Sequence, residues 1–534
     1  MKTEIKKLRK RIYKNLKNKA QALEGKKSRE LLTYEKDQII FSKRDFDSSS
    51  IDELIQQVIS SQVIYLGDFH TFDQNMRNVL RILKVLQQSK QKCIIALEMV
   101  DAKYQFYVDS FVEHHITELE FLESIKYHDS WRFPWIHYNV IFEIAKKENI
   151  KVLALNTSGT LTERDEFAAD IISNVLNRDE DVQVLVVYGE LHISPDKLPQ
   201  KVKDLTENVN QTIVHQNLDE VYWKLIELEQ SDKIIRFNQE EFCINSAPPW
   251  IKYESMIYWY ENMSDDPEFD IHEYIIENGK KIFGDDAYDN FLLLSEEMID
   301  ALKLKISRSD LEDFNLFDHT NLEYIQEEVD KLPLKKHKDF YQQLISKGFS
   351  FNLPGRSIFY CSSYSMNRLA YLAGIHIYHV YLDQVEIDTA QIIYGKDNFK
   401  LFTLFTYEAM YAYFFSKVIN PHRKCNMYQD FKDQLACEAD ESLRLELKHT
   451  LDILDQKNDQ EILNSLKTFE VYRLALNIGH LFGEYLYTAI YNLSFKIKIE
   501  KEFIKNPIDE NSFHEIRNTL IGSRDYQQDR KRYF

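Results

Sequence analysis

The stretch VIYLGDFHTFDQN, residues 63–75, decides how the first half of the chain folds. Its apolar start suits a buried strand, which runs directly into the tetrapeptide GDFH ending at His70. The stretch VLVVYGELHIS, residues 184–194, repeats this arrangement with a second tetrapeptide, GELH, ending at His192. Two predicted strands far apart in the chain therefore end in the same pattern of glycine, acid, apolar residue and histidine.

Short apolar runs alternate with helical patterns over the first half of the chain. The predicted strands are 63–67, 94–98, 151–155, 184–188 and 212–216, and the predicted helices are 73–89, 103–125, 134–148 and 165–177. Short, continuous, β-branched runs are typical of strands covered on both faces. Their alternation with helices indicates parallel βα units with right-handed crossovers, so we expect an α/β domain.

Beyond about residue 225 the strand signals fade and helical periodicity dominates. The predicted helices are 253–263, 286–303, 321–347, 364–382, 401–419, 442–454 and 468–490. A chain of 534 residues is also too long for one ordinary core. We therefore expect a basic segment over residues 1–50, a parallel-sheet α/β domain over 51–225 and a large, mainly α-helical domain over 226–534.

Composition disfavours several classes of protein. The net charge of -19 predicts a surface that repels nucleic acid. No apolar stretch is long enough to span a membrane, and no signal peptide or lipoprotein cleavage motif is seen. The 5 cysteines are scattered and form no CxxC pair, which disfavours disulfides and a thiolate zinc site. These features predict a cytoplasmic location.

The first 32 residues differ from the rest of the chain because lysine and arginine greatly outnumber acids there. Four apolar residues recur at helical spacing within this segment, namely Ile5, Leu8, Ile12 and Leu16. The pattern predicts a basic amphipathic helix. Either the helix docks on the protein by its apolar stripe, or it makes a peripheral contact with a membrane surface or an anionic partner.

Polar residues close four of the predicted strands. They are Asp68 and His70 after the first strand, Glu98 and Asn156 at the next two, and Glu190 and His192 after the fourth. Ligands bind at the carboxyl ends of parallel strands, so these side chains are expected to converge. Imidazole and carboxylate groups suit Zn, Mn, Fe or Co, and a histidine also serves as a general base. Gly67 and Gly189 leave room for a ligand beside the main chain.

Residues 63–202 resemble the ChaN-like haem-binding uptake family of the Tiki/TraB superfamily. The matching pieces are GDFH, ALEM, WIHYNVIFEIAKKENIKVLALN, ERDEFAADI and VVYGELH. The resemblance places the family's motif residues at Gly67, His70, Glu98, Arg164, Asp165, Gly189 and His192. The chain has Asp68 where the family usually has glutamate, and the long helical region has no counterpart in the resemblance.

The resemblance implies either a binding protein or an enzyme. A binding protein for haem and iron uptake would hold haem or a divalent transition metal at the strand ends. A hydrolase, as among the Tiki proteases and erythromycin esterase-like enzymes, would use His70, His192 and Glu98 to hold a metal that activates water. Asp68 or Glu190 would shuttle the proton during amide or ester hydrolysis of a small molecule or peptide. A third hypothesis is a structural or signalling role with a decayed site, and a homodimer is a further expectation.

Arg164 and Asp165 each need an interpretation of their own. Asp165 is either the N-cap of a helix that begins at residue 166 or a part of the ligand site. Arg164 would stabilise a carboxylate or a developing oxyanion.

Aromatic residues before the third predicted strand belong either to the core or to a pocket mouth, where they would stack on a porphyrin. They are Tyr127, Trp131, Trp135 and Tyr138. In the C-terminal half, polar residues at helical spacing fit either buried packing pairs or a metal or haem site. They are His376 with His379, His480 with Glu484, and Glu408.

Overall fold

The predicted strands lie side by side in the computed structural model. It describes residues 2–89, 91–179, 181–230, 233–262, 287–355, 357–457, 459–491, 507–522 and 526–531. Within these residues the larger sheet consists of β1 Asp47–Ser48, β2 Val63–Asp68, β3 Cys93–Asp101, β4 Lys151–Asn156, β5 Gln183–Gly189, β6 Gln211–Gln216, β7 Ile234–Arg236 and β8 Glu241–Ile244. Their order across the sheet is β1-β7-β8-β6-β2-β5-β3-β4.

The centre of this sheet is parallel, as the alternating sequence pattern predicts. Strand β2 pairs in parallel with β5 and β6, and β3 pairs in parallel with β4 and β5. The edge is mixed, because β8 is parallel to β6 whereas β7 is antiparallel to both of its neighbours, β8 and β1. Strands β7 and β8 lie in the region where only helices were predicted, since their apolar runs are too short to stand out from a helical pattern.

Alternate residues of each central strand enter cores on opposite faces of the sheet. On β2, Ile64 and Leu66 belong to the core beneath α3–α8, whereas Val63 and Tyr65 belong to the core on the other face. Both faces are covered, so every residue of β2 is buried. This burial explains the continuous apolar runs of the sequence.

Helices cover both faces of the sheet. Helices α3–α8 contribute to the core on one face, and α9 and α10 contribute to the core on the other. The helices up to residue 262 are α1 Lys2–Glu24, α2 Arg29–Ser42, α3 Ile51–Ser60, α4 Asp73–Ser89, α5 Gln105–Val112, α6 Glu118–Ser124, α7 Tyr127–Ser130, α8 Trp135–Glu148, α9 Leu161–Leu176, α10 Leu198–Leu205, α11 Asp219–Glu227 and α12 Pro249–Asn262. The contacts of the chain define one compact unit over residues 13–274, and a second over residues 1–12 and 275–533.

The second unit is mainly helical, as predicted. Its described helices are α13 Ala287–Leu302, α14 Arg308–Leu311, α15 Leu322–Asp330, α16 Lys335–Ser346, α17 Met366–Gln384, α18 Thr389–Ile393, α19 Asn398–Ile419, α20 Tyr428–Cys437, α21 Glu441–Leu454, α22 Asp459–Asn464, α23 Thr468–Tyr491 and α24 Glu510–Ile521. A small sheet of β9 Asn315–Phe317, β10 Phe351–Leu353 and β11 Ile358–Tyr360 accompanies them. Helices α19 and α23 approach closely at Gly479, where an added Cβ would lie 2.6 Å from the Thr406 carbonyl oxygen.

The basic helix predicted at the start of the chain is α1. Its apolar stripe, Ile5, Leu8, Ile12 and Leu16, is buried in the protein. A peripheral membrane contact through this segment would therefore have to use another face of the helix, and it stays a prediction. No described helix combines the length and the apolar character that crossing a membrane requires.

Candidate ligand site at the carboxyl edge of the sheet

The two Gly-acid-apolar-His motifs meet, because the strands that carry them are hydrogen-bonded neighbours. Asp68 on β2 stands opposite Gly189 on β5 in the parallel register. A Cβ added at Gly189 would lie 3.5 Å from Cε1 of His70, 3.4 Å from Cδ2 of His192 and 3.1 Å from Oε2 of Glu98. Both imidazoles and the Glu98 carboxylate therefore surround one point beside the main chain.

His70 is held by a chain of hydrogen bonds that starts at Tyr138 on α8. The Tyr138 hydroxyl donates to Oδ2 of Asp68 over 2.7 Å, and the same oxygen lies 2.8 Å from Nδ1 of His70. The ring of His70 packs against Trp131 and Phe133, with ring centroids 4.5 and 4.7 Å away. A carboxylate at Nδ1 fixes the ring and leaves the lone pair on Nε2.

His192 is held by a second chain of the same composition. The Tyr34 hydroxyl on α2 donates to Oδ2 of Asp165 over 2.9 Å, and Oδ1 of Asp165 lies 2.6 Å from Nδ1 of His192. Tyr34 and Tyr188 both present ring edges to the imidazole of His192. Asp165 is fully buried, and Tyr34 and His192 each contact one of its carboxylate oxygens.

Glu98 lies between the two histidines. It sits at a register shift between β3 and β4, where the strand bulges and its side chains are redirected. One carboxylate oxygen accepts a hydrogen bond from Arg164, and the other accepts from the Gly189 N–H over 2.5 Å. Nε2 of His192 lies 4.0 Å from the Glu98 carboxylate. Both oxygens of Glu98 are therefore already engaged by donors of the protein.

Burial and neighbouring charges act against one another in this site. Burial disfavours the imidazolium of His70, but the Asp68 and Glu98 carboxylates together outweigh burial and raise the pKa of His70. Burial disfavours the Glu98 carboxylate too, but the Arg164 guanidinium holds the pKa of Glu98 below its usual range. At neutral pH the Glu98 carboxylate is thus charged, and His70 takes up a proton more readily than a free histidine does.

A cavity of about 450 Å³ opens beside these residues, all within residues 13–274. His70, Glu98, Arg164, Glu190 and His192 line it together with Asp68 and Gly189. Helices α1, α2 and α12 supply further walls. The volume is within the range typical of sites for organic ligands.

One wall of the cavity is aromatic. Phe133 stacks on Trp259 of α12 with ring centroids 4.8 Å apart, and both line the cavity. The Trp259 indole N–H donates to the Arg132 carbonyl over 2.9 Å, which fixes the ring. Since Phe133 also touches the ring of His70, the aromatic surface is continuous with the first histidine.

Charged residues also line the cavity. Lys252 of α12 lies 3.6 Å from the Glu190 carboxylate and 3.0 Å from the Asp219 carboxylate. The Tyr13 and Tyr253 hydroxyls also donate to Asp219, at 2.8 and 2.6 Å. Burial raises the pKa of Glu190 despite Lys252, and within the described residues one of the Glu190 carboxylate oxygens has no hydrogen-bond partner.

Several residues predicted for the cofactor site lie behind the cavity rather than in its lining. They are Gly67, Asn156, Asp165, Tyr138 and Trp135. Asn156 accepts a hydrogen bond from Arg164 over 3.0 Å, and Gly67 packs tightly against Ile193. Asp165 contacts His192 directly, and Tyr138 contacts Asp68, which in turn holds His70. Trp135 packs among Phe121, Tyr127 and Phe142 in the core.

The interpretation of Asp165 as an N-cap is wrong. Helix α9 begins at Leu161, and Thr160 is its N-cap in a reciprocal capping box with Glu163. The helix therefore starts one turn earlier than predicted. This extra turn turns Asp165 inward, where it meets His192 instead of capping the helix.

The metal ligand set His70, His192 and Glu98 stays a prediction. Among the described residues, no group of three or more His, Cys, Asp or Glu side chains is arranged to hold a metal ion. Both Glu98 oxygens already accept hydrogen bonds, from Arg164 and from the Gly189 N–H, so a metal ion would have to compete with these donors.

The polar residues of the helical unit have separate partners. His379 lies 2.6 Å from Glu408, whereas His376 contacts the Leu311 carbonyl. His480 contacts Tyr371, and Glu484 accepts from Lys417 and Tyr413. Helical spacing therefore does not bring either predicted pair onto a common ligand.

Sequence reasoning missed the residues that the cavity draws from outside the central strands. Four of the missed residues, Phe133, Lys252, Tyr253 and Trp259, line the cavity. The fifth, Tyr34, lies behind the lining, where its hydroxyl contacts Asp165. Tyr34 and Lys252 carry no local signal, because a polar residue on a helix usually faces solvent. Phe133 did carry a local sequence signal, since it directly precedes Pro134 and helix α8 within the aromatic stretch that contains Trp131 and Trp135.

The fold and site define an α/β protein whose parallel sheet carries a histidine-lined cavity at its carboxyl edge. The N-terminal part is ChaN-like: residues 54–164 match the model of a family described as haem-binding uptake, Tiki superfamily, ChaN. The match covers the first histidine motif, Glu98 and Arg164, and it ends before the second motif.

Two individual proteins are also similar to the chain. The solved structure entitled cofacial heme binding to ChaN of Campylobacter jejuni is 18% identical, with a TM-score of 0.26, and covers 35% of this chain and 91% of that chain. The dynein heavy chain-like protein 1 of Plasmodium falciparum is 25% identical over 189 residues. That match takes in 34% of this chain but only 4% of the length of the dynein-like protein.

Proposed function

We propose that the protein binds haem in the cavity at the carboxyl edge of its sheet. The observation that carries the proposal is the pair of imidazoles around Gly189, each with a carboxylate at Nδ1. Within the described residues, Nε2 of His70 and Nε2 of His192 have no hydrogen-bond partner. The family to which residues 54–164 match is a haem-binding one.

The residues of the cavity fit a haem. His70 would be the better residue to hold the haem iron, because 23% of its side chain is exposed whereas only 7% of the His192 side chain is. The stacked rings of Phe133 and Trp259 offer an apolar surface to a flat macrocycle. Lys17, Lys27 and Lys252 also line the cavity, but each is paired with carboxylates of the protein, which the carboxylate groups of a haem would have to replace. Bound haem would supply iron redox and ligand chemistry, and its transfer to a partner would serve haem or iron uptake.

Hemin titration of the full chain tests the proposal. We expect a Soret shift that saturates at one hemin per chain, and its loss in His70→Ala at hemin concentrations that saturate the wild type. His115→Ala is the matched control, since this histidine lies outside the cavity lining and 68% of its side chain is exposed. Equal binding by the wild type, His70→Ala and the double variant His70→Ala/His192→Ala would end the proposal.

A metal-dependent hydrolase remains the alternative hypothesis, with less support. A metal on His70, His192 and Glu98 would have to displace Arg164 or the Gly189 N–H from the Glu98 oxygens. Elemental analysis of the purified protein separates the two hypotheses. About one Zn, Mn or Co per chain, with hydrolysis of an amide or ester that a chelator stops, would favour the enzyme.

A further inference from the structure

Helix α2 carries a polar stripe that contacts the site at three places. Glu30, Tyr34 and Gln38 follow one another at intervals of four residues, so they lie on one face of the helix. This helix precedes residue 54, where the match to the ChaN family begins. The stripe therefore belongs to a part of the chain that the family match does not cover.

The first contact of the stripe fixes the start of α9, the helix that carries Arg164 and Asp165. Oε2 of Glu30 accepts from the Leu161 N–H over 3.0 Å, and Oε1 accepts from the Thr162 N–H over 3.1 Å. N–H groups in the first turn of a helix have no partner within the helix, so an external carboxylate satisfies them. These bonds hold the pKa of Glu30 below its usual range even though its burial opposes this.

The second and third contacts reach the second histidine motif. The Tyr34 hydroxyl donates to Asp165, which in turn holds His192, and all three side chains are buried. The Gln38 amide donates to the Glu190 carbonyl oxygen over 3.3 Å. Leu31, Ile39 and Ser42 on neighbouring turns of α2 line the cavity.

We infer that α2 is a working part of the ligand site and that Tyr34 is a positioning residue for His192. Tyr34 acts through Asp165: its hydroxyl shares the carboxylate with Nδ1–H of His192 and fixes the ring that faces the cavity. Tyr138 has the same place in the chain that ends at His70. The inference rests on the proposed function only for the ligand, since the hydrogen-bond chain exists without it.

A crossed pair of hydroxyl deletions tests this inference on the full chain without any ligand. The Nδ1–H proton resonances of His70 and His192 are followed by NMR with ¹⁵N-labelled histidine, and each is assigned by its loss in a histidine-to-glutamine variant. Tyr34→Phe should move the His192 signal downfield and leave the His70 signal in place, because Asp165 loses a competing donor. Tyr138→Phe should do the reverse, and Tyr107→Phe, an exposed tyrosine outside both chains, should move neither.

Hemin binding then shows whether the position of His192 matters to the ligand. We expect Tyr34→Phe to weaken hemin binding about fivefold, the usual effect of one lost hydrogen bond. An unmoved His192 resonance in Tyr34→Phe, or equal shifts of both histidines in both variants, would overturn the inference. If the resonances move as expected but the wild type binds no hemin, the proposed function fails and the role of Tyr34 stands.

Discussion

His70 and His192 occupy equivalent places after neighbouring strands, yet their surroundings differ. Tyr138, Asp68 and His70 all lie within the residues that match the ChaN family, whereas Tyr34, Asp165 and His192 all lie outside them. The ring of His70 is partly open to the cavity and packs on aromatic residues. His192 is almost fully enclosed. We therefore expect His70 to contact the proposed ligand and His192 to contribute mainly to the fold.

The largest expected effect comes from Glu98, whose carboxylate lies between the two histidines. Glu98→Ala removes the partner of the half-buried Arg164 and the acceptor of the Gly189 N–H. We expect the free energy of unfolding to fall by about 3–5 kcal/mol, the usual cost of leaving one member of a buried ion pair alone. Urea denaturation of both proteins measures this.

Two further variants sharpen this result. Glu143→Ala removes an exposed glutamate that pairs with Lys146, and it should change stability by less than about 0.5 kcal/mol. The double variant Glu98→Ala/Arg164→Leu should recover part of the loss, since no unpaired charge remains. A Glu98→Ala protein as stable as the wild type would show that the pair of Glu98 with Arg164 does not contribute to the stability of the fold.

The comparison also explains how much of the site the sequence reveals. The strands, their parallel pairing and the meeting of His70 with His192 follow from local patterns, because a buried parallel strand is apolar throughout and its end is marked by glycine. The start of α9 was readable from Thr160 and Glu163, which form a capping signature. The role of Tyr34 could not be predicted from the sequence, because its contact with Asp165 joins residues far apart in the chain and produces no periodic pattern.

The helical unit and the far edge of the sheet show the same limit of prediction from the sequence. Long apolar helices such as α19 were predicted because nearly every side chain is buried and the pattern is extended. Strands β7 and β8 were not, since three or four residues carry too little periodicity to identify. Residue type does not tell which of Trp135 and Phe133 lines the cavity, because only the packing decides which aromatic ring faces it.

The next largest effect should distinguish Asp68, which holds His70, from Asp165, which holds His192. Asp68→Asn removes the negative acceptor at Nδ1 of His70, so hemin affinity at pH 8 should fall about 10–100-fold, as for other partners of metal-bound histidines. Asp165→Asn should affect hemin affinity less and stability more, by about 1–3 kcal/mol, since Asp165 is fully buried between two donors. Parallel hemin titrations and urea melts test both. Equal losses of affinity would remove the distinction between a ligand histidine and a structural one.

The smallest expected effect is a shift in the pH dependence of hemin binding. Iron takes the neutral imidazole, so affinity should fall as the pH drops through the pKa of His70, by up to about tenfold per pH unit. Burial lowers this pKa, but the Asp68 and Glu98 carboxylates together raise it by more, so the affinity should begin to fall above pH ~6.5, the ordinary pKa of histidine. Asp68→Asn removes the raising contribution, and the onset should move to lower pH, whereas Asp165→Asn should leave it in place. Soret titrations between pH 5 and pH 9 measure the onset, and an identical onset in all three proteins would mean that His70 is not the histidine whose protonation competes with iron.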